Sequence, residues 1–322
     1  MINVAGLGVA GSYLLRRLNQ EGFDSIGFDP KRPDYYIPCG YATNLDRIKI
    51  FAGRAGLDME NYSTVRSSSV TFSGNEFGPV QFAGRGIGTF DKNHFERDLV
   101  SGLTTKMAPF RQAEDGTFTI DATGVSRQIL GKAEDDRLMY AREIVSKKAD
   151  HNDFYFHFFK RGAGYYWEFP IAGGYHIGAG ALTLDMVDEA LRSVPAGFTV
   201  GRKIRMKPLF ESMARGRVIG VGEAIGLVSP ITGEGIMPAL ESAEILIQIM
   251  KRHDDIEMIK TAYQKQIMKA YGYYEQLYDL VSAIQNDRTL GFSALPTSLL
   301  ARKDLIGFGI DFSIRKVIRH FM

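Results

Sequence analysis

The chain has 322 residues, 45% of them hydrophobic and 24% charged, with a net charge of +2. That length exceeds the ~100–200 residues of an ordinary domain, so one large α/β body or two interleaved domains with a sizeable core is expected, and the near-zero charge gives no electrostatic footing for nucleic acid. The single cysteine, Cys39, excludes an intramolecular disulfide framework; six histidines between His94 and His320 form no metal-ligand spacing with it, so no metal is expected and a reducing cytoplasm is the expected compartment.

The chain begins in an apolar strand, Ile2 to Ala5, without the basic region or cleavage site of a signal peptide. Gly6-Leu7-Gly8-Val9-Ala10-Gly11 follows, then a helical pattern to about Asn19 with Leu14, Leu15 and Leu18 apolar. A second strand, Ser25 to Phe28, ends at Asp29, close to the ~20-residue spacing that places an acidic residue on a ribose. Strand, Gly6-x-Gly8-x-x-Gly11 and helix together form the dinucleotide fingerprint. The first glycine permits a tight turn, the second close approach of a pyrophosphate, the third helix-on-strand packing, and the helix amides meet the phosphates. Asp29 is expected on the adenosine ribose; its alternative is a helix or turn cap before Pro30.

Residues 64–90 change period. Val70, Phe72, Val80 and Phe82 alternate with polar residues around Ser73-Gly74-Asn75, which predicts an antiparallel hairpin in a different layer. A helix from about Asn93 to Lys106 leads through Asp115-Gly116 into a strand, Thr117 to Ile120, that ends in Asp121-Ala122-Thr123-Gly124. Residues 153–183 are strand-like and aromatic, with Gly173-Gly174 as a hairpin turn, and another strand follows near Lys203 to Lys207. Within Gly164-Tyr165-Tyr166-Trp167-Glu168-Phe169-Pro170, strand alternation puts Tyr165, Trp167 and Phe169 on one face, as a substrate wall or as an ordinary aromatic core strand.

The apolar strand at 218–221 runs into Gly222-Glu223, and Pro230-Ile231-Thr232-Gly233-Glu234-Gly235 then opens a helix at Ile236. From Ile256 to Ile284 apolar residues recur in steps of three or four, an amphipathic helix with a bend expected at Gly272. Asp311 to Met322 sets Arg315, Lys316 and Arg319 among apolar residues, which suits a membrane surface or a docked terminal helix. No run of 18 apolar residues is present.

These motifs resemble, in order over roughly residues 1–250, those of the geranylgeranyl reductase family. The likeness is carried by the glycine fingerprint, Ala122-Thr123-Gly124 with Ser126-Arg127, Tyr165-x-Trp167-x-Phe169-Pro170 and Pro230-x-Thr232-Gly233-Glu234-Gly235. It departs at Glu223, where the family has Asp; at Pro38 before Cys39-Gly40, where it has Arg; and at Lys92 and Glu96 in Lys92-Asn93-His94-Phe95-Glu96-Arg97-Asp98-Leu99, where it has Arg and Asp. The resemblance implies the p-hydroxybenzoate hydroxylase-like α/β fold. A Rossmann-like, three-layer FAD-binding domain (1–62, 91–130 and 208–255) is interleaved with an antiparallel-sheet substrate domain (63–90 and 131–207), followed by a C-terminal helical region (256–322).

It further implies FAD contacts at Gly6, Gly8, Gly11 and Asp29; at Cys39, Gly40 and Lys92; at Ala122, Thr123 and Gly124; and at Gly222, Glu223, Pro230, Gly233, Gly235 and Ile236. Tyr165, Trp167, Phe169 and Pro170 would bind substrate, with Cys39 as the candidate catalytic residue near the flavin ring. The activity implied is saturation of C=C bonds in geranylgeranyl or other polyprenyl chains of isoprenoid lipids, by hydride from reduced flavin plus a proton. NADPH or ferredoxin is the external donor, and the protein is expected as a monomer that is cytoplasmic or peripheral at a membrane. The alternatives are an aromatic-ring monooxygenase of the same fold using FAD and NADPH, and a non-catalytic flavin- or lipid-binding protein.

Overall fold

The computed structural model describes residues 1–31, 35–37, 39–111, 117–286 and 294–312, with the backbone alone for 294–298. Pro38, Asp115-Gly116 and the basic C-terminal segment beyond Phe312 lie outside the described residues.

The chain opens with β1 (Ile2–Ala5), α1 (Val9–Gln20) and β2 (Ser25–Phe28), strands paired in parallel as Ile2 with Ser25 through Ala5 with Phe28. Gly11 is forced to be glycine by this packing, because a Cβ there would lie 1.9 Å from the Gly6 carbonyl oxygen. Next come β3 (Ala42–Asn44) and α2 (Leu45–Arg54), whose first amides are capped by the Asn44 side chain. Four strands follow: β4 (Thr64–Arg66), β5 (Ser69–Gly74), β6 (Phe77–Gly84) and β7 (Ile87–Phe90), with β5 and β6 forming the expected hairpin. The helix α3 (Lys92–Val100) stops short of the expected Lys106, since Gly102 takes φ +73 and turns the chain into β8 (Thr105–Lys106).

β9 (Phe118–Asp121) returns to the side of β1. The long strands β10 (Leu138–Ser146), β11 (Phe154–Phe158), β12 (Gly164–Ile171) and β13 (Gly174–Ala181) are followed by α4 (Leu184–Leu191) and β14 (Phe198–Arg205), which begins earlier than Lys203. The short strands β15 (Ala214–Arg215) and β16 (Val218–Gly220) precede α5 (Ile236–Met250), and α6 (Ile256–Tyr271) is separated from α7 (Tyr273–Gln285) at Gly272, as expected. The described chain ends in α8 (Ala294–Phe308) and β17 (Ile310–Asp311).

Among the described residues these strands form three sheets. The first, in order β15-β16-β9-β1-β2-β8, has a parallel centre; α1 and α5 pack together against it, burying Leu14, Leu18, Leu240 and Leu246 completely. Each such side chain contributes about 1.5–3 kcal/mol. The second sheet, β14-β10-β13-β12-β11-β5-β6-β17, is antiparallel except at β11–β5, and α4 covers one of its faces with Val187 and Leu191. The third sheet is β3-β7-β4. The C-terminal region is not wholly helical: Gly309, at φ +97, ends α8 and lets β17 pair with β6, burying Ile310.

Candidate functional site

A cavity of about 960 Å³ lies where the ends of the parallel strands meet the face of the eight-stranded sheet opposite α4. On one side stands the glycine turn after β1. Gly6 adopts φ +87, whereas a Cβ on Gly8 would meet nothing within 4 Å, so backbone there is open to a ligand. Gly8 caps α1, and Gly235 caps α5, without a side-chain hydrogen bond at either cap. Two helix N-termini thus border one cavity, a donor arrangement that fits the phosphates of a dinucleotide.

Asp29 also borders the cavity, with both carboxylate oxygens already engaged: Oδ2 accepts from the Leu7 amide (2.5 Å) and Oδ1 from the Lys31 amide (2.7 Å). The turn-capping alternative is therefore present in the fold. Asp121, fully buried, accepts from the Thr123 amide (3.0 Å) and hydroxyl (2.6 Å) and from the Ile129 and Leu130 amides (2.9 Å each). Those bonds fold the Ala-Thr-Gly segment so that Ala122, Thr123 and Gly124 line the cavity.

The extra methylene of Glu223 has a visible use. Its carboxylate accepts from the Arg205 amide (3.0 Å) and pairs with the Arg202 guanidinium, both on β14. Arg205 is itself buried, forked onto both Asp136 oxygens (2.9 and 2.7 Å) and bonded to the carbonyls of Gly124, Val125 and Glu223. Neither arginine was marked by the sequence, since their partners come from distant segments. Lys92 lines the cavity but is not a free point charge: its Nζ lies 2.5 Å from Glu96 Oε1, and Lys31 approaches the other oxygen at 3.4 Å.

Opposite the glycine turn, Tyr165, Trp167 and Phe169 of β12 form a continuous aromatic wall, with neighbouring ring centroids 5.7 and 6.1 Å apart. The Tyr165 hydroxyl donates to the Thr232 carbonyl, which joins the wall directly to the Pro-x-Thr-Gly-Glu-Gly turn. Ser229 shapes that turn by accepting from the Ile231 and Thr232 amides, and Glu234 Oε1 accepts from the Met237 amide (2.8 Å). Gly40 presses against the wall so closely that a Cβ would lie 2.5 Å from Phe169 Cδ2. Cys39 beside it is partly exposed to the cavity, and burial pushes its thiol pKa up, so it stays protonated at neutral pH.

Of the expected site residues, Gly11, Gly222, Pro230 and Pro170 do not line the cavity. Gly11 and Gly222 serve packing: a Cβ on Gly222 would lie 3.2 Å from both Ala10 and Ala239. The Pro170 carbonyl accepts from the Thr89 hydroxyl (2.6 Å). The remaining expected residues, including Gly233, Gly235 and Ile236, are brought together around the cavity.

One group went unnoticed in the sequence. Tyr36 lines the cavity, and its hydroxyl lies 2.7 Å from His176 Nε2 and 3.2 Å from Glu143 Oε1. Burial pushes the Glu143 carboxyl up to about 8 and the His176 imidazole down to about 4. A signal was available: on β10, Met139 and Ala141 line the cavity, and Glu143 continues their alternating phase.

A model of the tryptophan halogenase family matches residues 88–288. Among solved structures, a geranylgeranyl bacteriochlorophyll reductase-like protein from Thermoplasma acidophilum is similar at TM-score 0.76 and 17% identity, over 99% of this chain and 95% of that one. CmlS, a flavin-dependent halogenase, is similar at TM-score 0.65 and 20% identity, over 95% and 70%. PqsL from Pseudomonas aeruginosa, solved in complex with 2-aminobenzoylacetate, is similar at 0.67 and 13%, over 88% and 96%. No curated protein matches the chain in sequence.

Proposed function

The chain belongs to the tryptophan halogenase family and uses FAD, and we propose that, as an FAD-dependent oxidoreductase, it saturates C=C bonds of a polyprenyl chain. The observation that carries this reading is the aromatic wall joined to the Thr232–Gly235 turn through the Tyr165 hydroxyl. Around it the cavity is lined by Ile37, Met139, Phe198 and Ile204, a surface that favours a long apolar substrate over a polar one. The likeness to the reductase-like protein over nearly the whole of both chains supports it.

The glycine turn and the first turn of α1 would hold the pyrophosphate, Thr123, Gly124 and Glu223 the linker beyond it, and Gly233, Gly235 and Ile236 the ring system. Reduced FAD supplies hydride when bound. An isolated alkene has no carbonyl to absorb the incoming electrons, so a proton must arrive with the hydride as positive charge builds on the more substituted carbon. The faces of Tyr165 and Trp167 would stabilise that charge, and the wall excludes water from it. Cys39 stands at the same cavity as a neutral thiol. NADPH or ferredoxin would serve as external reductant. No helix among the described residues is long and apolar enough to cross a membrane, and the lipid would be taken from a membrane surface.

The family match favours a second reading, oxidation or halogenation of an aromatic ring. Product mass separates the two. Protein loaded with FAD, reduced anaerobically and given a geranylgeranyl lipid should return product heavier by pairs of hydrogens. Unchanged lipid under those conditions, with oxygen or halide incorporated into an aromatic substrate in air, would overturn the reductase reading.

A further inference from the structure

We propose that Glu143, His176 and Tyr36 form a proton relay, with Tyr36 delivering the proton into the cavity beside the aromatic wall. The inference rests on the reductase reading, which requires a proton at the alkene. Glu143 and His176 have 0% and 1% of their side chains exposed and stand on the cavity-facing phase of β10 and β13. Tyr36 closes over both, and its ring lies 6.1 Å edge-on from that of His176. Tyr41 also packs against His176, with centroids 4.6 Å apart, and against Tyr36.

Three polar atoms of this cluster, Glu143 Oε2, His176 Nδ1 and the Tyr41 hydroxyl, are buried without a hydrogen-bond partner among the described residues. Each such atom costs about 1–3 kcal/mol, and an apolar trio of similar shape would be more stable. Folding therefore gives no account of the cluster. The groups facing Glu143 are Tyr36, Cys39 and Tyr41 from the segment before β3, His176 from β13, Lys92 from α3 and, toward Cys39, Arg202 from β14. Both cations are already paired, Lys92 with Glu96 and Arg202 with Glu223. Burial outweighs the pull of the Tyr36 hydroxyl, the Cys39 backbone and Lys92 toward the ionised form, and raises the Glu143 pKa to about 8.

With Glu143 protonated and His176 neutral as its Nε2–H tautomer, both groups donate to the Tyr36 oxygen. The Tyr36 proton is then free to point into the cavity. In the transfer, the Tyr36 O–H bond breaks and the alkene π pair forms a C–H bond with that proton. In concert, the Glu143 O–H bond breaks and the tyrosine O–H bond is remade, so no free tyrosinate accumulates. Reduced flavin, when bound, would supply the hydride of the second C–H bond, and the Glu143 carboxylate regains a proton from solvent through Tyr36, which borders the cavity. Glu143 and His176 thus act through Tyr36.

The test uses FAD-loaded wild type, Tyr36→Phe and Glu143→Gln in anaerobic single turnover across pH, with infrared spectra of the same proteins without lipid. Wild-type reduction should fall as pH rises through about 8. Tyr36→Phe should lose about 100-fold in rate with FAD still bound, and Glu143→Gln should be slower and lack the alkaline limb. Because burial also raises Glu234 to about 7, the readout is the wild type minus Glu143→Gln difference, which should show a carboxylic-acid C=O band at pH 7 that vanishes through about 8. Variants within twofold of wild type and sharing its pH profile would overturn the relay, as would a difference spectrum without the acid band at pH 7. Wild type that shows the difference band but never hydrogenates the lipid would instead overturn the reductase reading, and the relay's use with it.

Discussion

Glu143 couples folding to pH as well as to chemistry. Its folded pKa, about 8, lies above the ordinary carboxyl value because burial penalises the charge. A raised carboxyl binds its proton more tightly in the folded state, so its contribution is fully present below about pH 4.5 and is lost as pH rises through about 8. Glutamine cannot ionise. Glu143→Gln should therefore be less sensitive to pH between 5 and 8, and more stable than wild type by on the order of 3 kcal/mol at pH 7. Urea unfolding at several pH values checks this, and parallel curves for the two proteins would show that Glu143 is ionised in the native state. Glu223 makes a contrasting point. Its identity and its departure from Asp were legible, but the purpose of the extra methylene was not, because Arg202 reaches it from another sheet.

At the scale of elements, the strand–glycine–helix start was readable because its requirements are local: φ above zero at Gly6 and no room for a Cβ at Gly11. The early end of α3 was missed because its apolar spacing continues past a glycine that the backbone uses at φ +73. Strand alternation correctly put Tyr165, Trp167 and Phe169 on one face, but alternation cannot say what that face meets. It meets the turn before α5. Tyr165→Phe keeps the ring and removes that bond, so it should cost about 1 kcal/mol of stability. The same change should loosen FAD more than a like-sized loss elsewhere, because the turn it anchors also caps α5. Comparing FAD affinity with unfolding free energy checks this; an unchanged affinity would mean that the turn holds its shape without the wall.

For the whole molecule, Arg205 is the principal polar tie between the eight-stranded sheet and the nucleotide turns. It joins β14 to Asp136 and to carbonyls at 124, 125 and 223. Arg205→Ala would strand Asp136 and three carbonyls at a buried seam, with a loss of about 3–5 kcal/mol. Guanidinium unfolding should show this loss, and FAD affinity should fall with it. A cost below about 1 kcal/mol would mean that the apolar seam alone holds the two sheets together.

By itself, the sequence determined the α/β class, the dinucleotide turn and the aromatic strand, because each rests on residues near in the chain whose spacing meets a backbone requirement; the flavin followed from the resemblance those motifs carry. Only the tertiary structure decided how these pieces share one cavity. It also decided which residues at and behind that cavity carry charge and which carry a proton. Burial and pairing set those states: among the described residues the Glu143 carboxyl has no ion pair with a lysine or arginine, whereas Glu223 and Glu96 each have one. Their partners lie on other strands or at a helix turn's distance, and a one-dimensional pattern cannot report the dielectric around a side chain before the chain has folded.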